Sequence, residues 1–146
     1  MGKVLARMLD RPFADVDAFV VKDAGMPIDT IFDRYGEADF RARESVALAR
    51  AAQIEGAIVA LGGGTLLAPN NRALIARRGR LLYLRASVDL LERRIEAQNV
   101  RRPLLVGTPV SQLLDERRAL YEAADLVVDI DGKPLRAIVA EIAEYL

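Results

Sequence analysis

The sequence predicts an α/β domain built on a parallel sheet. Four strand-like runs, at residues 12–15, 57–61, 80–85 and 126–130, alternate with segments whose apolar residues recur at helical spacing. Strands separated by helices favour parallel pairing, because the chain reaches a parallel neighbour through a crossover helix. The run at residues 57–61 (AIVAL) is apolar throughout, which is typical of a strand buried on both faces of its sheet.

A few residues mark the ends of the predicted helices. Gly36 separates the third helix from the fourth, and Gly79 ends the fifth. Ser87 is predicted to cap the sixth helix, and Pro134 to lie in the first turn of the last one. The predicted helices span residues 2–9, 17–23, 28–34, 37–53, 70–78, 88–98, 110–123 and 134–146, with a loop at residues 100–109.

Composition limits the class of protein. The chain has 146 residues, the size of one domain, and we expect residues 1–146 to form a single domain. It contains neither cysteine nor histidine, which excludes thiol chemistry and both Ser-His and Cys-His catalysis. Its formal net charge is zero, and no apolar run approaches the ~18–20 residues of a membrane span. We therefore expect no binding to nucleic acid or membranes. We also expect the protein to be a cytoplasmic monomer.

Asp15 and Asp17 follow the first predicted strand, and alternation along a strand would put both on one side of its end. The carboxyl ends of strands are where open α/β sheets bind ligands. One carboxylate could then hold Mg²⁺ through water while the other orients or deprotonates a hydroxyl. The alternative is a pair of solvated acids that lead into a helix.

Arg41 and Glu44 lie three residues apart on one predicted helix face, where they can form an ion pair. An arginine held in this way presents a planar group that suits a substrate carboxylate. The alternative is an ordinary ion pair on the surface of the helix, which would carry no function.

Gly62, Gly63 and Gly64 directly follow the apolar run of residues 57–61. Three glycines permit a ligand to approach the backbone closely and permit positive φ angles. Their amides can face an anion or a hydroxyl. A tight turn without a ligand is the alternative.

Arginines are frequent between positions 93 and 118, and one of them, Arg102, precedes Pro103 in the predicted loop. A mobile loop that bears an arginine can close over phosphates and stabilise the transferred charge. Residues of about 98–109 are therefore a candidate lid. The alternative is a solvated, charged face.

The order of these motifs resembles the shikimate kinase family from about Val4 to the C-terminus. The family shows F-x-D-x-D, then I-x-x-I-F-x-x-x-G-E-x-x-F-R-x-x-E, a strand that ends in GGG, an N-R helix start, an R-P-L-L lid and an R-x-P-L-Y helix. Here Ala119 stands at the proline of the last motif. The matching segments are FADVD at 13–17, MPIDTIFDRYGEADFR at 26–41 followed by Glu44, VALGGG at 59–64, NNR at 70–72, RRPLL at 101–105 and RRALY at 117–121.

On the side of the acceptor, the resemblance implies that this chain binds shikimate. Asp17 would bind a ring hydroxyl and is the candidate base for the attacking 3-hydroxyl. Arg41, supported by Glu44, would hold the shikimate carboxylate together with Arg117. Gly62, Gly63 and Gly64 would contact the substrate through their backbone.

On the side of the nucleotide, the resemblance implies that Asp15 helps to hold Mg²⁺, that Arg102 reaches the ATP phosphates and that Arg94 flanks the adenine. The implied fold is a three-layer P-loop NTPase-like domain, with helices on both faces of a parallel sheet in strand order 2-3-1-4-5. The family's central first strand and its G-x-x-x-x-G-K-[ST] loop have no counterpart in the 146 residues. Gly2-Lys3 does not supply that loop, because Val4 follows and no strand precedes.

The resemblance therefore implies ATP-dependent phosphorylation of the 3-hydroxyl of shikimate, a step in aromatic amino acid biosynthesis. Without the phosphate loop, we expect the 146 residues alone to show little turnover. Either the natural protein begins further upstream or the chain is truly truncated. Two other functions stay open: a non-catalytic relative that binds shikimate, and another small-molecule kinase of the P-loop group.

Overall fold

A computed structural model describes residues 1–98 and 101–146, which divide into two compact units, Met1–Gly79 and Arg80–Leu146. Four strands alternate with seven α-helices in these residues, as an α/β fold requires. The start of the predicted loop at Val100, and with it part of the candidate lid at residues 98–109, lies outside the described residues. Within the described ranges, no helix combines the length and the apolarity needed to cross a bilayer. The single domain of 146 residues stays a prediction.

The first unit contains one parallel pair of strands together with four α-helices and a 3₁₀ turn. Phe13 lies opposite Ile58 and Asp15 opposite Ala60, so both strands end at the same edge of the sheet. This register brings the residues after Asp15 close to the glycines at 62–64. The elements are α1 (Gly2–Met8), β1 (Phe13–Asp15), α2 (Val16–Ala24), α3 (Ile28–Ala51), β2 (Ile58–Ala60), a 3₁₀ turn (Thr65–Leu67) and α4 (Pro69–Arg78).

The core of the first unit lies mainly between β1, α2 and α3. Burial of these apolar side chains stabilises the unit by roughly 25 cal/mol for each Å² removed from water. The expectation that residues 57–61 are buried on both faces is wrong, because Ile58–Ala60 is only partly buried. A sheet of two strands has too few neighbours to cover β2 fully. The buried core residues are Ala14, Val16, Val20, Ile31, Phe40, Ala47, Leu48 and Ala51.

Gly36 interrupts α3, which confirms the predicted break between two helices. Its φ of 83° and ψ of 176° belong to a region that is essentially accessible only to glycine. A Cβ at this position would meet no atom within 4 Å, so the requirement comes from the backbone and not from packing. The break sets the direction of the helical segment that carries Arg41 and Glu44.

Replacing Gly36 with alanine is expected to lower the free energy of unfolding by about 1–3 kcal/mol, because a side chain is strained at this backbone conformation. Urea denaturation followed by far-UV circular dichroism measures the change. Gly79→Ala is the matched control, since Gly79 has an extended φ of −165° and equally open space around a Cβ. Equal losses of unfolding free energy in the two variants would contradict the conclusion that the backbone conformation at Gly36 requires glycine.

The second unit also contains one parallel strand pair, in which Leu82 lies opposite Leu126 and Arg85 opposite Asp129. Ser87 caps α5 as predicted, because the Leu90 N–H donates to its Oγ at 3.2 Å. Pro134 precedes α7 at the N-cap and does not lie in its first turn. The elements are β3 (Leu82–Arg85), α5 (Val88–Gln98), a 3₁₀ turn (Pro103–Leu105), α6 (Val110–Glu122), β4 (Leu126–Asp129) and α7 (Leu135–Tyr145).

Hydrogen bonds and an ion pair join the carboxyl ends of β3 and β4. The Arg85 guanidinium donates to both oxygens of Asp129, at 2.5 and 2.8 Å, and this bond lowers the pKa of the Asp129 carboxyl. Hydrogen bonds from the side chain and the backbone N–H of Ser87 lower the pKa of Asp131, and the backbone bond measures 2.9 Å. The carboxylate forms of both residues therefore hold the end of this sheet together.

Acid should weaken the second unit through these two carboxylates. Their folded-state pKa values lie below the ordinary 3.8, so their contribution is present above that pH and is lost as the pH falls through the lowered values. Asp131→Asn should make the loss of stability on acidification less steep. Urea denaturation at a series of pH values between about 6 and 2.5 measures the slope.

Glu96→Gln is the control for this experiment, since it removes an exposed acid from α5. The pH dependence of Glu96→Gln should follow that of the unchanged protein. An Asp131→Asn variant with an unaltered slope would contradict the role of the Ser87 bonds.

Candidate functional site

The centre of the candidate site is the buried carboxylate of Glu44, whose residue is 1% exposed. Arg41 Nη1 donates to its Oε2 at 2.8 Å, and Thr65 Oγ1 donates to its Oε1 at 2.8 Å. A buried charge is tolerated when it is paired and hydrogen-bonded in this way. The interpretation of Arg41 and Glu44 as an ordinary surface pair is therefore wrong.

Arg41 lies at the boundary between the buried carboxylate and solvent, with its side chain 20% exposed. Its Nη2 also approaches Glu37 Oε1 at 3.5 Å, and the guanidinium lies 5.3 Å from the centre of the Phe40 ring. A guanidinium has five N–H donors in a planar arrangement. Arg41 is thus held in place on one side and can present its remaining donors to an anion on the other.

Glycine is required in the glycine turn, residues 62–64, because other side chains lie close to the backbone there. It is not required for a positive φ angle. None of the three glycines has a positive φ, so the freedom of glycine to adopt that conformation is not used here. Gly64, for example, has a φ of −99°. A Cβ at Gly64 would instead overlap the guanidinium of Arg41. The group that comes close to the backbone here belongs to the protein itself.

Gly62 lies between two carboxylates. A Cβ at this position would be 3.0 Å from Glu44 Oε1 and 3.1 Å from Asp17 Oδ1, and Asp17 Oδ1 is buried. Asp17 belongs to the first turn of α2, because β1 already ends at Asp15. Strand alternation therefore does not explain its position, but the fold does bring it to the glycine turn.

Asp15 has a structural role that the sequence analysis did not assign. It is the N-cap of α2, where its Oδ1 accepts a hydrogen bond from the Ala18 N–H at 3.3 Å. Across the described part of the chain, no three acidic side chains gather in the manner of a metal site. A single carboxylate is still compatible with Mg²⁺, which is often held by one or two carboxylates together with substrate phosphates and water.

Three residues after the glycine turn, which were not predicted from sequence to belong to the site, form hydrogen bonds that support it. Thr65 donates to Glu44, Asn71 Nδ2 donates to the Thr65 carbonyl at 2.9 Å, and Arg72 Nη1 donates to the Leu66 carbonyl at 2.7 Å. Asn71 and Arg72 belong to the NNR segment, which the sequence analysis noted as a motif without giving it a role. Together these bonds fix the 3₁₀ turn that follows the glycines.

The other predicted arginines belong to the second unit. Arg94 is exposed on α5, where its charge helps to lower the pKa of Asp131 after the larger effect of Ser87. Arg102 precedes the second 3₁₀ turn and donates to Gln98 through Nη2. Arg117 is half-buried on α6. The structure thus brings Asp17, Arg41 and the glycine turn together in the first unit, while the roles of these arginines stay predictions.

Comparison with known proteins identifies the family. The sequence profile of shikimate kinase matches residues 1–146. The chain belongs to the shikimate kinase family. A shikimate kinase of Geobacter sulfurreducens is 39% identical over 150 residues, which cover all of this chain and 82% of that protein. A shikimate kinase of Bordetella avium is 43% identical over 152 residues, which cover all of this chain and 72% of that protein.

Solved structures of shikimate kinases confirm the α/β P-loop kinase-like fold. A shikimate kinase from Acinetobacter baumannii in complex with shikimate matches with a TM-score of 0.91 and 31% identity, over 99% of this chain and 83% of that one. A shikimate kinase from Aquifex aeolicus matches with a TM-score of 0.81 and 31% identity, over 99% of this chain and 85% of that one. The family resemblance inferred from the motifs is therefore confirmed.

Gly64→Ala should lower the free energy of unfolding of this shikimate kinase family member by about 1–3 kcal/mol, because the new methyl group displaces Arg41 and leaves the Glu44 carboxylate without its cation. Urea denaturation measures the change in Gly64→Ala, in Arg41→Ala and in the double variant. In the Arg41→Ala background, Gly64→Ala should cost far less. Strictly additive costs would show that Gly64 is required for another reason.

Proposed function

We propose that this protein is a shikimate kinase, which transfers a phosphoryl group from ATP to the 3-hydroxyl of shikimate. Membership of the family supports the reaction class. The observation that carries the proposal is the buried Glu44 carboxylate, which holds Arg41 beside the glycine turn where Asp17 also lies. A cytoplasmic location and a monomeric state stay predictions.

The proposed roles follow from the chemistry of an acceptor that carries one carboxylate and several hydroxyls. Arg41 binds the carboxylate, because its guanidinium is part-exposed and fixed in direction by Glu44. Asp17 accepts a hydrogen bond from a ring hydroxyl and is the candidate base for the 3-hydroxyl. The backbone of Gly62, Gly63 and Gly64 contacts the ring substituents, and Arg117 is proposed as a second ligand of the carboxylate.

The residues present fit the acceptor better than the nucleotide. The 146 residues contain no G-x-x-x-x-G-K-[ST] motif, whose backbone amides hold the phosphates of a nucleotide in proteins that have it. ATP with Mg²⁺ supplies the phosphoryl group when it is bound. We propose Asp15 as a contact of the metal, Arg102 as a contact of the phosphates and Arg94 as a neighbour of the adenine.

A second candidate function for the 146 residues is binding of shikimate without phosphorylation. Arg41, Glu44 and Thr65 form one hydrogen-bonded group inside the first unit, and this group is compatible with both functions. The two functions differ in their response to ATP. Another small-molecule kinase of the P-loop group is the remaining alternative, and a panel of acceptor substrates tests it.

Isothermal titration of the 146-residue protein with shikimate tests the acceptor site. We expect measurable binding, and Arg41→Ala should raise the Kd by about 10–100-fold, because a charge-assisted bond to the carboxylate contributes roughly 1.5–3 kcal/mol. Arg43→Ala is the matched control, since Arg43 lies on the same helix but pairs with Asp39 at 2.6 Å. Its Kd should stay within about twofold of the unchanged protein.

A parallel assay with ATP and Mg²⁺ separates the candidates. Little or no shikimate 3-phosphate is expected from the 146 residues alone. Shikimate binding that depends on Arg41 without any heat from ATP would favour the non-catalytic function. Failure to bind shikimate would refute the proposed acceptor site, and normal turnover would refute our account of the nucleotide side.

A further inference from the structure

Thr65 uses every polar group it has inside the first unit, and the residue is 0% exposed. Its N–H donates to the Gly62 carbonyl at 3.1 Å, and its Oγ1 donates to Glu44 Oε1 at 2.8 Å. Its carbonyl accepts a hydrogen bond from Asn71 Nδ2 at 2.9 Å, and Asn71 is 3% exposed. One buried residue therefore links the glycine turn, the long helix α3 and the start of α4.

The hydroxyl of Thr65 binds the oxygen of the Glu44 carboxylate that Arg41 does not bind. A carboxylate that is bonded only through Oε2 can rotate, whereas bonds to both oxygens fix the plane of the group. The Arg41 guanidinium follows that plane, because Nη1 bonds Oε2. Without the hydroxyl, Oε1 would also lose a hydrogen bond in a buried position, which is costly for a charged oxygen.

We infer that Thr65 is a positioning residue for Arg41 and acts through Glu44. Its hydroxyl holds the carboxylate, and the carboxylate in turn holds the guanidinium at the place where Gly64 leaves room for it. The effect on ligand affinity rests on the proposed function, but the effect on the Arg41 side chain does not. The two are therefore measured separately.

The first experiment records the order of the Arg41 side chain in the unliganded, ¹⁵N-labelled 146-residue protein. Nuclear magnetic resonance relaxation of the Arg41 Nε–Hε group is compared in the unchanged protein, Thr65→Val and Thr65→Ser, with Arg41→Lys used for assignment. Thr65→Val should make this group mobile or broaden its signal. Thr65→Ser keeps the hydroxyl and should preserve the order of the unchanged protein.

Thr30→Val controls for the change from threonine to valine, since Thr30 is only partly buried near the start of α3. Circular dichroism establishes that each variant is folded, and Thr65→Ala replaces Thr65→Val if the latter does not fold. An ordered Arg41 in folded Thr65→Val overturns the inference. Failure of both variants to fold also overturns it, because Thr65 would then be a residue of the core.

The second experiment titrates the same variants with shikimate. Thr65→Val should raise the Kd by about tenfold, with Thr65→Ser and Thr30→Val within about threefold of the unchanged protein. An unchanged protein that does not bind shikimate refutes the proposed function, while the relaxation of Arg41 still decides the role of Thr65. Loss of affinity in Thr65→Ser as large as in Thr65→Val overturns the inference, since the hydroxyl is present in one and absent in the other.

Discussion

The buried carboxylate of Glu44 is the constraint on which the rest of the site depends. A negative charge that is 1% exposed must find a cation and hydrogen-bond donors, and it finds them in Arg41 and Thr65. Because these two residues come from α3 and from the segment after β2, one group fixes the position of a helix relative to a turn. Removing either partner of such a group costs about 1–3 kcal/mol or more, so the arrangement resists small displacements.

The glycines at 62–64 leave the space that these charged side chains occupy beside the backbone. A Cβ added at Gly62 would lie close to the carboxylates of Glu44 and Asp17, and a Cβ added at Gly64 would overlap the guanidinium of Arg41. A side chain at Gly64 would push away the guanidinium that the buried carboxylate holds, and a side chain at Gly62 would crowd the carboxylates of Glu44 and Asp17. The same glycines that leave the backbone accessible therefore also leave room for the charged groups that surround it.

Local patterns predicted much of this structure, while properties that depend on tertiary packing could not be read from them. The break at Gly36, the cap at Ser87 and the pairing of Arg41 with Glu44 follow from local sequence. The burial of Glu44 does not, because helical spacing shows which residues can pair and not which of them are covered. The role of Thr65 could not be predicted from sequence, because its hydroxyl binds Glu44 of α3, which is 21 residues away along the chain.

Asp17 lies beside the glycine turn, but strand alternation does not explain that position. Its side chain meets the glycine turn because β1 ends early and α2 begins at once, with Asp15 as the cap. Asp17, Arg41 and Glu44 are then all oriented by bonds and packing within residues 1–79. The arrangement of these three residues is thus a property of the first unit. Under the proposed function, these contacts to the acceptor would be in place before a nucleotide binds.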